Sequence, residues 1–287
     1  MSTIVLLTLT GLGLAGLYFL IAAGLSLVFG LADVLNFAHG WFLTVGAYAA
    51  YWAIPRVGFA GGVLVAVLAG AATAALVELV MIRPLYQRTI SQVLVTVGLS
   101  LAGVALFQAL FSPDARTFPS PSWTEGVVTV LGARVPVKSL VLVVGAVVVL
   151  AALLAFLRWT RYGLIIRAGV ENREMVTALG IDVRKAFTLV FAIGGAAAGL
   201  AGALSGIAFQ SIAPSGGSSL LIFAFIVVVI GGMGSITGSA VAAVAVGLLQ
   251  QFVNYYGSAG MGDLCAVALL AAVLLLRPQG IAGKVAS

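Results

Sequence analysis

Residues 186–262 read AFTLVFAIGGAAAGLAGALSGIAFQSIAPSGGSSLLIFAFIVVVIGGMGSITGSAVAAVAVGLLQQFVNYYGSAGMG, 77 consecutive positions without Asp, Glu, Lys or Arg. One helical crossing of a bilayer uses about 20 apolar residues, so at least two spans fit in this stretch. A water-soluble core of such composition would have no polar face left for solvent. Lipid asks only that backbone donors and acceptors be satisfied within each helix, so the solvent here is lipid.

The remainder of the chain agrees. Of 287 residues, 62% are hydrophobic and 8% charged, against about 25% charged in an ordinary soluble domain, and the mean hydropathy is +1.23. A membrane β-barrel would alternate apolar and polar residues over strands of about ten, whereas this sequence runs in blocks of Val, Leu, Ala and Gly. The spans are therefore helices. Met1 to Ile4 carries no Lys or Arg and the apolar run continues to Leu31, unlike a cleaved signal peptide, so the first helix is expected to stay. Cys265 is the only cysteine, which excludes an intramolecular disulfide and a thiolate zinc cluster.

Charged residues and turn formers cut the chain into eight apolar blocks, near 4–22, 24–54, 59–82, 90–111, 139–157, 186–211, 219–256 and 258–276. The expected fold is one all-α transmembrane domain over 1–287, a polytopic integral membrane protein with about eight transmembrane helices (range seven to ten), some broken or re-entrant. The net charge of +6 is spread between the blocks, so it reports orientation through the positive-inside effect rather than nucleic-acid binding. The segment 158–185 holds Arg158, Arg161, Arg167, Arg173, Arg184 and Lys185 against Glu171, Glu174 and Asp182, and is expected inside. Arg83, Arg88, Arg277 and Lys284 also vote inward, which leaves 112–138 outside. The span count between Lys185 and Arg277 must then be even, four spans or two with re-entrant hairpins. The side of the N-terminus stays open, because the first 32 residues carry no charge.

Polar residues interrupt two long blocks. Asp33, Asn36 and His39, the chain's only histidine, lie inside 24–54, and Gly231-Gly232-Met233-Gly234-Ser235 opens a glycine-rich break inside 219–256. Ionisable groups at such depth face a cavity or a partner helix, and paired interrupted segments mark a midplane pathway in transporters. Two readings stand for the first cluster, a substrate pathway or a cap that bridges a helix break. For the second, a glycine-rich helix contact is the alternative to a pathway. Small residues at spacing four, Gly195 to Gly199 and Gly202 to Gly206, argue for close helix packing.

In the inward segment, Val170 to Leu179 fits a short helix ended by Gly180, with Val170, Met175, Ala178 and Leu179 on one side and charges elsewhere. Ten residues are marginal alone, so this helix is expected to dock on a surface. Glu78 lies near Arg83 and is expected at a solvent-screened interface rather than in a proton relay; Asp263 is expected at the outer interface. The chain has no G-x-x-x-x-G-K-[ST] loop for ATP and no Ser/His/Asp set.

Gly24-Leu25-Ser26-Leu27-Val28-Phe29-Gly30, Asn36-Phe37-Ala38-His39-Gly40, Gly46-Ala47-Tyr48, Arg167-Ala168, Asn172, Ala178-Leu179-Gly180-Ile181, Gly231-Gly232-Met233-Gly234-Ser235 and Gly238 together resemble the permease family of branched-chain amino acid ABC importers, of LivH type. The resemblance spans nearly the whole chain. It implies a non-enzymatic inner-membrane subunit that works by alternating access beside a second, LivM-type permease. Two cytoplasmic ATPases and a periplasmic binding protein for Leu, Ile or Val complete the implied assembly. This chain would bind no cofactor, and ATP would be used by the partner subunits.

The implied coupling helix falls on 170–179, with Glu171, Asn172, Arg173, Glu174, Ala178 and Gly180 as coupling residues. Asp33, Asn36, His39, Gly231, Gly232, Gly234 and Ser235 are the candidate pathway residues. Related permeases carry urea or short amides with a similar signature. From other classes, a self-sufficient ion- or proton-coupled carrier would use Asp33 and Glu78, and a membrane scaffold would transport nothing.

Overall fold

The computed structural model describes residues 2–32, 35–86, 88–171, 175–176 and 183–282. Helix α1 (Ser2–Ala32) and helix α2 (His39–Val77) are followed by a π-helical turn (Glu78–Ile82) and a 3-10 turn (Arg83–Leu85). After α3 (Thr89–Phe111) come strand β1 (Arg116–Thr117) and a hairpin of β2 (Val127–Val130) and β3 (Ala133–Pro136). The chain continues through α4 (Val137–Trp159), α5 (Arg161–Glu171), α6 (Val183–Phe209), β4 (Ser211–Ile212), α7 (Gly216–Gly231), α8 (Ile236–Tyr256) and α9 (Met261–Leu276). The strands are short: β1 pairs antiparallel with β4, and β2 with β3 across a Leu131-Gly132 turn whose two residues both have positive φ.

Six helical stretches are long and apolar enough to cross a membrane, while α7 and α9 have 16 residues each. The longest stretch, His39–Leu85, has 47 residues, about 70 Å if straight and more than twice the hydrocarbon thickness of about 30 Å. It doubles back instead. Pro55 removes a helical donor and Gly58 adopts φ 76, ψ 176, so a Cβ at Gly62 would stand 3.0 Å from the Ile54 backbone nitrogen. The break falls between the predicted blocks 24–54 and 59–82. With the two arms, 39–57 and 59–77, counted separately, the described residues contain nine apolar segments, within the expected range. That backbone region is nearly exclusive to glycine, so Gly58→Ala is expected to cost about 2 kcal/mol. Nothing stands within 4 Å of the added methyl, so the loss should read as a fall of about 4–8 °C in the detergent melting temperature.

Helix α1 is the axis of the bundle. Leu17, Leu20, Ile21, Ala22, Ala23 and Leu25 have no exposed surface, and α8, α4, α6 and α7 pack around it. A helix apolar on every side belongs in such a position. Helices α3 and α4 instead expose Leu94, Leu101, Leu110, Val144 and Val147, as lipid-facing helices should. The arms of α2 straddle α6, where Gly46 of one arm and Gly70 of the other both press on Gly199. The spacing-four glycines of α6 are thus the seam of the bundle, because small residues allow backbone approach where lipid gives no hydrophobic drive.

The elements sort to two ends. At one, β1 joins β4 and Lys138 Nζ donates to the Ala208 carbonyl at 2.9 Å. At the other, Arg83 reaches Thr188, Gly169 meets Leu31, and a strap at 280–282 closes on α7. In that strap the Ile281 and Ala282 N–H groups donate to the Ile230 and Gly231 carbonyls at 2.8 and 3.1 Å, satisfying acceptors that a helix C-terminus leaves open.

Candidate functional site

The first break joins α1 to α2. Asn36 Oδ1 accepts the Ala38 N–H at 3.0 Å, the Asn36 carbonyl accepts the His39 N–H at 3.2 Å, and the Ala38 carbonyl accepts from Trp41 and Phe42. Asn36 therefore turns the chain just ahead of α2, whose N-cap position is taken by Ala38 without a side-chain cap. Fully buried His39 donates from Nε2 to the Ile21 carbonyl at 3.1 Å. Ile21 lies 11 residues before the end of α1, a rise of about 16 Å, so α2 begins deep in the bundle. The helix break is bridged by these bonds, yet among the described residues Asn36 Nδ2 and His39 Nδ1 meet no hydrogen-bond partner.

The second break is the turn from α7 to α8. Gly232 and Gly234 have φ of 96° and 84°, and Ser235 Oγ caps α8 by accepting the Gly238 N–H at 3.0 Å. Gly231 lies against Gly238, where a Cβ would meet the Ser239 nitrogen at 2.5 Å. A Cβ on Gly234 would stand 3.0 Å from the Gly30 Cα, and the Phe37 and Phe225 rings lie 5.0 Å apart. The two breaks, distant in sequence, thus flank the same end of α1. Asp33, Asn172, Arg173, Glu174, Ala178 and Gly180 lie outside the described residues, and Glu171 closes α5. Of the expected docking face, Met175 is 62% exposed and Val176 buried, so the buried side of that turn runs through Val176 rather than Met175.

A cavity of about 250 Å³ lies between the first arm of α2, the end of α6, the loop around β4 and the start of α7, lined among others by Leu43, Thr44, Ser205, Ile212, Gly216 and Ser219. Thr44 Oγ1 donates to the Gly40 carbonyl at 3.2 Å and lies 3.5 Å from the Pro214 carbonyl; Ser205 Oγ donates to Gly202 at 2.8 Å. No charged side chain lines it. None of the described pathway residues expected from sequence does so either. The missed signal is the run Ser211-Ile212-Ala213-Pro214-Ser215-Gly216-Gly217-Ser218-Ser219, a third polar break between apolar blocks.

A multi-span bundle with helices broken inside it has the build of a transport protein. Residues 7–276 match the family described as branched-chain amino acid transport system / permease component. The chain belongs to that family. This permease is 29% identical to the high-affinity branched-chain amino acid transport system permease protein LivH of Escherichia coli K12, over 96% of its own length and 94% of the relative's. It is 30% identical to BraD of Pseudomonas aeruginosa, a protein described in the same terms, with the same coverage. The probable LivH of Methanocaldococcus jannaschii is 27% identical over 94% of this chain and 89% of its own. No solved structure matches the chain. The permease is a multi-pass membrane protein and a transport component.

Glu78 of the permease departs from expectation. It is fully buried rather than solvent-screened, and its Oε1 meets Arg83 Nε at 3.3 Å and accepts from Tyr86, while Oε2 accepts from Thr188 Oγ1 at 2.7 Å. Burial first, then the bond to Glu78, raises the Tyr86 phenol above its ordinary value, so it stays a donor. The π-turn at Glu78–Ile82 aims this carboxylate across to α6.

Proposed function

We propose that this permease imports branched-chain amino acids as one half of the membrane pathway of an ATP-driven transporter. A second, LivM-type permease forms the other half, two ATPases sit beneath, and a binding protein delivers substrate from outside. The chain binds no cofactor itself; ATP is used by the partner subunits. The single observation that carries this reading is the family match over residues 7–276, and the names of LivH and BraD supply the substrate class. The helix breaks beside α1 support alternating access. Asp33, Asn36, His39, Gly231, Gly232, Gly234 and Ser235 border the moving parts in this reading.

The orientation follows from charge. Arg83, Arg158, Arg161, Arg167, Lys185 and Arg277 belong to the end that carries the 280–282 strap, which the positive-inside effect places in the cytoplasm. The 158–185 segment then faces the ATPases, and 112–138 faces outside. Glu171, Asn172, Arg173, Glu174, Ala178 and Gly180 form the coupling element at that inner face. The Glu78–Arg83 ion pair and the Thr188 hydrogen bond disfavour the ion-coupled alternative, since they commit the Glu78 carboxylate to holding α6.

The test is to express this chain with its genomic neighbours and replace Glu174 by Ala together with Gly180 by Pro. Substrate-stimulated ATP hydrolysis and uptake are expected to fall at least tenfold with complex assembly retained. Full uptake by the double variant, or gradient-driven uptake by this chain alone, would refute the proposal.

A further inference from the structure

The cavity between α2, α6 and α7 is lined by other residues than the described ones of the two helix breaks, although Gly217 and Thr44 bring it against Gly40 beside the first, and its chemistry is selective. Among the described residues its lining carries no Asp, Glu, Lys, Arg or His, so a guest with net charge would enter uncompensated, at high desolvation cost. Thr44, Ser205 and Ser219 donate their hydroxyl protons to the Gly40, Gly202 and Ser215 carbonyls and turn lone pairs to the cavity, Ser211 adds a fourth hydroxyl, and Leu43, Ile212 and Leu220 supply apolar wall. Ser205 is 6% exposed, so one of these hydroxyls sits deep in the pocket. The β1–β4 pairing of residues 116–117 with 211–212 holds the wall on the side of the 112–138 segment.

We infer that this cavity is a binding station for a net-neutral, zwitterionic amino acid with an aliphatic side chain, and that Gly216 sets the size of side chain it admits. The inference rests on the reading of the chain as a branched-chain amino acid permease and assigns the place and the contacts. The ammonium donates to the hydroxyl oxygens and to loop carbonyls such as Pro214 O, the carboxylate accepts from Ser211 and from hydroxyls rotated off their helical carbonyls, and the aliphatic chain lies against Leu43, Ile212 and Leu220. Gly216 borders the cavity, and a Cβ built on it meets nothing within 4 Å. A side chain there occupies guest space without disturbing the bundle. Neighbouring Gly217 is different, because a Cβ there is driven into the Gly40 carbonyl.

Two measurements test this on the complete transporter in membrane vesicles. With Cys265→Ala removing the only cysteine, Ser219→Cys is labelled by a maleimide while leucine, glutamate, lysine or urea is present at saturating concentration. Leucine is expected to slow labelling at least fivefold and the other three to leave it unchanged; equal rates with and without leucine would overturn the inference, as would equal protection by urea. In parallel, Gly216→Leu is expected to abolish leucine uptake, and Gly216→Ala to shift the valine-to-leucine uptake ratio upward at least threefold, at wild-type membrane abundance. Gly98→Leu, also placed in open space but outside the cavity, serves as the control with unchanged uptake. Normal leucine uptake by Gly216→Leu would likewise overturn it. Radiolabelled leucine accumulation that depends on this chain separates the two readings: accumulation without protection removes the cavity assignment alone, and no accumulation of any branched-chain amino acid removes the permease proposal with it.

Discussion

Gly199→Ala is expected to reduce the yield of monodisperse, membrane-inserted protein at least tenfold. The added methyl would be driven into the Ala66 carbonyl, with the Gly70 Cα 3.3 Å away, while Gly46 of the other α2 arm presses from its own side. Ordinary overpacking costs about 1–3 kcal/mol because side chains can shift, but here the obstacles are backbone atoms of the 59–77 arm, and relief requires moving that whole arm. The loss should therefore exceed about 3 kcal/mol, and fluorescence-detected size exclusion reads it directly. Gly98→Ala supplies the contrast: it lies on α3 with nothing within 4 Å, so it should raise stability slightly through helix propensity. Wild-type yield from Gly199→Ala would mean that the seam between α2 and α6 is not the tight contact described.

Removing the Glu78 carboxylate carries the second large effect. In Glu78→Ala, Arg83 loses its ion-pair partner, and Tyr86 and Thr188 lose their acceptor. Breaking a fully enclosed pair costs about 3–5 kcal/mol. The Arg83 side chain is 35% exposed, so solvent recovers part of this and about 2–4 kcal/mol remains. The expected readout is a melting temperature lowered by about 5–12 °C, with Glu78→Gln losing about half as much because its amide oxygen still accepts. Combining Glu78→Ala with Arg83→Met should recover part of the loss, since no unpaired cation is then left behind. A fully additive double variant would show that the two side chains do not act as a pair.

The membrane class was readable from charge alone, because 77 uncharged residues leave water no surface to wet. The doubled α2 was visible in Pro55 and Gly58, which punctuate two apolar blocks. The Gly195, Gly199 and Gly202 contacts were foreshadowed by their spacing, although which helices they would meet was not, since spacing identifies a face and not its partner. Ser235 is of a residue type suited to the helix start it caps, whereas Asn36 stands two residues ahead of the Ala38 that begins α2. That the two breaks would flank one end of α1 could not be read, because nothing in the sequence ties Gly30 to Gly234 or Phe37 to Phe225. Burial of Glu78 was missed for a similar reason: nearby Arg83 suggests a wet interface, whereas the π-turn and Thr188, 110 residues away, enclose the carboxylate. The cavity escaped notice because its hydroxyls come from three separate helices and a loop, each unremarked on its own.

The strap at 280–282 also dictates a chronology. Ile230 and Gly231 leave the ribosome 51 residues ahead of the amides that will bind their carbonyls, an interval of roughly 3–10 s at ordinary translation speed. Until then those two oxygens depend on water in the insertion machinery, because bare hydrocarbon offers them no donor. The corner joining α7 to α8 is thus sealed only after α9 has been made, and a nascent chain that stalls in α9 is released with that corner unsealed.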